Sequence, residues 1–164
     1  MLRLLPDLGL THPLAIFITL MKMMTQKDSA EVKRHGAALF KIEVQTRMHI
    51  YDQVPNEVNQ DIIDARSDQE RLDEITTKLN GILSRLSFHK MRLESSRASL
   101  DRLYEWESDF PLGTGNNKNT GLSVVIEKQQ RYISSVLHEL EFNLRIAQSQ
   151  LKVVWNCSFL MLDW

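Results

Sequence analysis

The sequence predicts an all-α protein: an elongated helical bundle built around a long antiparallel, coiled-coil-like helical hairpin. Two runs and one break carry that prediction. Leucines recur every seven residues at positions 72, 79, 86, 93 and 100. A later stretch repeats apolar residues in alternating steps of four and three, the spacing of one helix face. Between the two lies "SDFPLGTGNNKNTGLS", with Pro111, Gly113, Gly115 and Gly121 among polar residues, as a solvated connection between helices requires.

The N-terminal helical region, residues 1–54, opens on "LTHPLAIFITLMKMM", the most apolar stretch of the chain. Its core from Leu14 to Met24 is interrupted by Thr19 and Lys22 and falls short of the roughly 20 apolar residues that cross a bilayer. Asp7, His12 and Pro13 precede it and methionines close it, which is unlike a secretory leader. The expectation is a packed helix, with Thr11 as N-cap and Pro13 in the first turn, in preference to an interfacial membrane anchor. "TQKDSAE" offers a second helix start at Asp28 or Ser29, so the region divides into one helix or two. Pro55, in "YDQVPNEVNQD", marks its end.

Residues 55–164 form the predicted hairpin, with helices over about 62–107 and about 122–156 and a loop over about 108–121. Taking the leucines as heptad a positions places Ile75, Ile82, His89, Ser96 and Leu103 at d. Leu72 to Leu103 alone would run about 47 Å at about 1.5 Å per residue. The first packing seam is therefore Leu72, Ile75, Leu79, Ile82, Leu86, Leu93, Leu100 and Leu103. The second is Ile133, Leu137, Leu140, Leu144, Leu151 and Val154, with Ala147 between them. Each stripe has to be buried, and the nearest apolar partner is the other stripe. A parallel leucine zipper is the competing arrangement. A basic-region zipper needs a basic helix ahead of its leucines, whereas "NEVNQDIIDARSDQE" is acidic and repels phosphate.

Composition adds exclusions. With 43% hydrophobic and 25% charged residues the chain suits one modest domain, and a net charge of −1 provides no global field for nucleic acid or anionic lipid. A single cysteine, Cys157, excludes an internal disulfide and a multi-cysteine zinc site. With no secretory leader expected, the sequon Asn156-Cys157-Ser158 is not expected to carry glycan. These features point to the cytoplasm.

Catalytic motifs are absent. "HELEF" at His138 starts like a zinc-protease helix, but Phe142 stands where the second histidine would be. "GTGNNKNTG" lacks the lysine-serine or lysine-threonine pair of a phosphate-binding loop, and Cys157 sits among Trp155, Phe159 and Leu160 without a base beside it in sequence. Glu127, Glu139 and Glu141 are spaced around a helix, not gathered on one side of it. His89 has no histidine three or four residues away, so it is expected to be a half-buried structural residue. Ser96 and Asn143 interrupt the apolar stripes, where interior polar residues can fix register. A non-enzymatic protein without a cofactor is expected, with Mg2+ held at most weakly by surface carboxylates.

"THPLAIFITLMKM", the heptad helix, the loop, and "IEKQQRYISSVLHELEFNLRIAQSQLKVVWN" together resemble the soluble, stalk-forming part of fungal CorA-like divalent-cation transporter proteins over most of residues 10–156. The resemblance implies long helices leading to a membrane, and magnesium as the family's cargo. The family's Gly-Met-Asn signature has no match here, and "WNCSFLMLDW" is too short to span. The chain is therefore expected to be transport-incompetent alone, either a truncated form or a standalone protein, located at a membrane only through a full-length relative. The alternative is a free-standing helical interaction module that binds a protein partner or itself through its seams, with no nucleic acid.

Overall fold

The computed structural model describes residues 14–46, 65–109 and 121–162, and these form three helices with no strand among the described residues. Helix α1 runs Ala15–Thr46, α2 runs Ala65–Asp109 and α3 runs Gly121–Leu162. Thr11, Pro13, Pro55 and the glycines at 113 and 115 lie outside the described residues. No described helix is long and apolar enough to cross a membrane.

Two compact units divide the chain: Met1–Glu31 with His89–His138, and Val32–Phe88 with Glu139–Trp164. Each unit takes a part of all three helices. Helices α1 and α3 enter the first unit before the second, and α2 does the reverse.

Each helix buries one stripe at heptad spacing. On α2 the buried positions are Ile75, Leu79, Ile82, Leu86, Leu93 and Leu100, with His89, Ser96 and Leu103 half-buried in the same series. On α3 the series is Leu122, Ile126, Gln129, Ile133, Val136, Leu140, Asn143, Ala147, Gln150 and Val154. On α1 it is Ile18, Met21, Thr25, Asp28, Val32, His35, Leu39 and Ile42. Steps of three and four hold a stripe on one side of a helix, which lets one face enter a core while the rest stays wet.

α1 continues unbroken through Asp28 and Ser29, where the sequence allowed a second helix to start. Aspartate and serine favour helix starts because their side chains bond nearby backbone N–H groups. Here Asp28 is buried and occupied by side chains from α2, so it is not used as a cap. The apolar stretch at Leu14–Met24 buries only a narrow stripe, Ile18 and Met21, while Ile16, Phe17, Leu20, Met23 and Met24 stay exposed.

In the second unit α3 is registered against α1 by two side-chain amides. Asn143 Nδ2 donates to the carbonyl of Val32 at 3.2 Å, and Gln150 Nε2 donates to that of Leu39 at 3.4 Å. Both donors and both acceptors are seven residues apart and advance together, so these segments run parallel. The helix residue four beyond each accepting carbonyl decides which amide fits. Beyond Val32 it is Gly36, and a Cβ there would lie 3.0 Å from Asn143 Nδ2 and 3.1 Å from its Oδ1. Beyond Leu39 it is Glu43, and the amide that bonds the Leu39 carbonyl is the longer glutamine. The short amide thus requires the glycine.

Burial at these positions sets measurable costs. Leu86→Ala and Leu140→Ala, each truncating a side chain with no exposure, are expected to destabilise by about 2–5 kcal/mol in equilibrium urea unfolding. Effects near zero at both positions would show that the stripes are not packed. The two helical glycines should separate in the same assay. Gly81, with nothing within 4 Å of an added Cβ, should gain about 0.5–1 kcal/mol on change to alanine. Gly36→Ala should lose that gain because Asn143 has to shift; an equal gain at both glycines would refute the close-approach argument.

Candidate functional site

The densest polar cluster of the first unit forms where α1 meets α2. Asp28, with a side chain only 3% exposed, accepts from His89 Nδ1 at 2.9 Å through Oδ1. Its Oδ2 pairs with an Arg92 guanidinium nitrogen at 3.4 Å. A carboxylate in this position is acceptor-only, so Nδ1 of His89 carries the hydrogen of this contact. His89 and Arg92 stand three residues apart on α2, so one helix face delivers both to the same carboxylate. Both are partly solvated, at 12% and 28%, which tempers the cost of burying the charges.

Glu31 extends the cluster along α1, three residues beyond Asp28 and half-buried. A ligand atom of Glu31 and one of His89 lie within 4.8 Å of each other. One turn before Asp28, Thr25 donates to the Met21 carbonyl at 2.8 Å while its Oγ1 accepts from Gln129 Nε2 of α3 at 3.2 Å. The hydroxyl relays the amide to the helix backbone. Nearer the solvent, Gln130 Nε2 donates to Asp101 Oδ1 at 2.7 Å and joins α3 to α2. All three helical segments of this unit are thus cross-linked by polar side chains.

The structure distributes the sequence-derived residues as follows. Ile75, Leu79, Ile82, Leu86, Leu93 and Leu100 of the first seam are buried, and Leu72 and Leu103 are half-buried. Ile133, Leu137, Leu140 and Val154 of the second are buried, while Leu144 and Leu151 are half-buried. His138 and Glu141 are exposed, and Glu127 is exposed beside Arg131 at 3.5 Å one turn on. Cys157 falls in the final turns of α3. The half-buried place anticipated for His89 is observed, but its carboxylate partner Asp28 comes from α1, far away in sequence. Local spacing along α2 could not reveal it. From sequence Asp28 is read only as a candidate helix start, and Glu31, Arg92, Gln129 and Gln150 are not marked by any motif. The available signal was the seven-residue repeat that joins Gln129, Asn143 and Gln150.

Away from this cluster, Glu74 sits below the ordinary carboxylate range because Lys78 hydrogen-bonds to it and adds a positive charge. That exposed pair has no bearing on the cluster.

Removing the shared carboxylate tests the cluster's contribution. Asp28→Ala removes the buried acceptor shared by His89 and Arg92, and should lower unfolding free energy by about 1–3 kcal/mol. Asp28→Asn retains one acceptor oxygen and should cost less. Equal stability of all three proteins in urea titration would mean that the carboxylate does not hold the helices together. No protein-family model matches this chain, and no curated protein and no solved structure matches it either.

Proposed function

We propose that this chain is a non-enzymatic helical interaction protein that associates with a second copy of itself through the exposed apolar side of α1. The observation that carries this reading is the group Ile16, Phe17, Leu20, Met23 and Met24, all of them exposed in the first unit. Their spacings of three, four and seven place them along one side of the helix. Exposed apolar side chains also occur on α2 and α3, Met91 and Val124 among them, but the α1 group gathers five within nine residues. An identical stripe on a second copy is the simplest complement, because a two-fold pairing places the same surface on both sides.

The internal framework of this reading is the antiparallel pairing of α2 and α3 as a coiled-coil-like hairpin. It is supported by the heptad series buried on each helix and, in the first unit, by the bond between Gln130 and Asp101. Sedimentation velocity over a concentration series tests self-association. The intact chain should form dimers that the double change Leu20→Glu, Met24→Glu converts to monomers of unchanged helicity. A chain that stays monomeric up to roughly 1 mM, the level of an association worth about 4 kcal/mol, would refute the proposal.

The second reading is the one the sequence resemblance supplies: a protein related to the soluble, stalk-forming part of CorA-like magnesium transporters, without transport competence on its own. Its support is the length of α2 and α3. That no described helix is apolar enough to span bears on transport, since conduction needs a protected path across about 30 Å of hydrocarbon. The purified chain in liposomes should therefore give no magnesium flux above that of empty vesicles. Reproducible protein-dependent flux would overturn this part of the reading.

A further inference from the structure

We propose that Met23 and Met24 make the pairing of two copies sensitive to hydroperoxides: oxidation of their thioethers to sulfoxides releases the partner. This rests on the association through the exposed side of α1 and adds the chemistry that controls it. Every residue concerned belongs to the first unit, Met1–Glu31 with His89–His138.

Helix α1 sorts its methionines by side. Met21 lies on the buried stripe with Ile18 and Thr25, at 6% exposure, whereas Met23 and Met24 lie on the open side with Leu20, at 49% and 47%. Steps of three and four join Ile18 to Met21 to Thr25, and Leu20 to Met23 and Met24, so the two sets keep to separate sides of one uninterrupted helix. In the exposed group of Ile16, Phe17, Leu20, Met23 and Met24, only the two methionines carry a group that a hydroperoxide oxidises.

In that reaction the sulfur lone pair attacks the terminal oxygen of the peroxide, an S–O bond forms as the O–O bond breaks, and the hydrogen on the attacked oxygen passes to the departing one. Thioether and hydroperoxide become sulfoxide and alcohol, or water from hydrogen peroxide. Sulfur is oxidised by two electrons and the peroxide is reduced by the same two.

The consequence depends on the side of the helix. In a single copy the new S=O group at Met23 or Met24 is hydrated. Between two copies it has to surrender that water among isoleucine, phenylalanine and leucine side chains, which carry no donor to replace it. A two-fold pairing presents the same surface twice, so both copies bring their sulfoxides to the interface. Met21, withdrawn from solvent, keeps its thioether, and the internal stripe of the first unit is left intact. Pairing is lost while folding is kept, and sulfoxide reductases that regenerate the thioether make the change reversible.

Hydrogen peroxide applied to the full-length chain, followed by peptide mass spectrometry, circular dichroism and sedimentation velocity, tests this. Dilute chain should gain one oxygen at Met23, at Met24 and at the exposed Met91 of α2, with Met21 retained as thioether. At concentrations where the dimer dominates, Met23 and Met24 should react more slowly and Met91 at an unchanged rate. The oxidised chain should keep its helicity and dissociate with a constant raised about tenfold or more, the fold-change expected of a buried polar group left without a partner. Met23→Leu, Met24→Leu keeps an apolar side of similar volume and should pair as the intact chain does, before and after peroxide, although its other methionines remain open to oxidation. A chain that is monomeric before any treatment would refute the pairing and the redox control with it. Resistance of Met23 and Met24 to peroxide in dilute chain, loss of helicity on oxidation, pairing unchanged by their sulfoxides, or equal loss of pairing in the leucine variant would each overturn the redox control and leave the pairing standing.

Discussion

A carbonyl inside an α-helix accepts one bond from its own helix and keeps a second lone pair, and the packing of α3 on α1 in the second unit depends on that lone pair. Asn143 and Gln150 both donate to such carbonyls, those of Val32 and Leu39. Apolar side chains alone define which faces meet but discriminate weakly between positions along the axis. An amide carried into a core has to find an acceptor there or forfeit its hydration, which makes the axial position a matter of kilocalories. Gln150 shows the limit of the device, since its Nε2 is bonded while its buried Oε1 has no hydrogen-bond partner among the described residues.

The first unit handles its interior polarity differently. There the buried stripe of α1 carries Thr25 and Asp28, and each is answered by side chains from another helix instead of by backbone. Thr25 interposes a hydroxyl between Gln129 and the Met21 carbonyl. Asp28 gathers two donors from α2. Charge and hydroxyl groups thus perform in one unit the alignment that amides perform in the other.

Legibility in the sequence followed polarity. The stripes on α2 and α3 were visible because leucine and isoleucine dominate them, and the helix boundaries near residues 62–65, 107–109 and 121–122 followed from the acidic and glycine-rich stretches beside them. The stripe on α1 has the same spacing yet was hidden, since Thr25, Asp28 and His35 occupy three of its eight positions and break any apolar count. Those same polar residues suggested a helix start at Asp28. The pattern is recoverable only when each polar side chain is matched with a partner, and the partners lie on other helices. Periodicity along one segment reports what a face is made of, whereas the cluster around Asp28 is a property of two segments folded together.

Gly36 gives the helix pair of the second unit a key and a keyhole. Slide α3 by one heptad in one direction, and Asn143 arrives beside Glu43, where a full side chain occupies the space its amide needs. Slide it the other way, and Gln150 arrives at the gap beside Gly36 with one methylene too many. Both misaligned forms keep most of their apolar burial, so they are the natural traps for a repetitive helical chain. Their remaining penalty is concentrated at one notch in α1. A missing side chain thereby marks the single aligned state and leaves the mispaired ones unlatched, free to dissociate and search again.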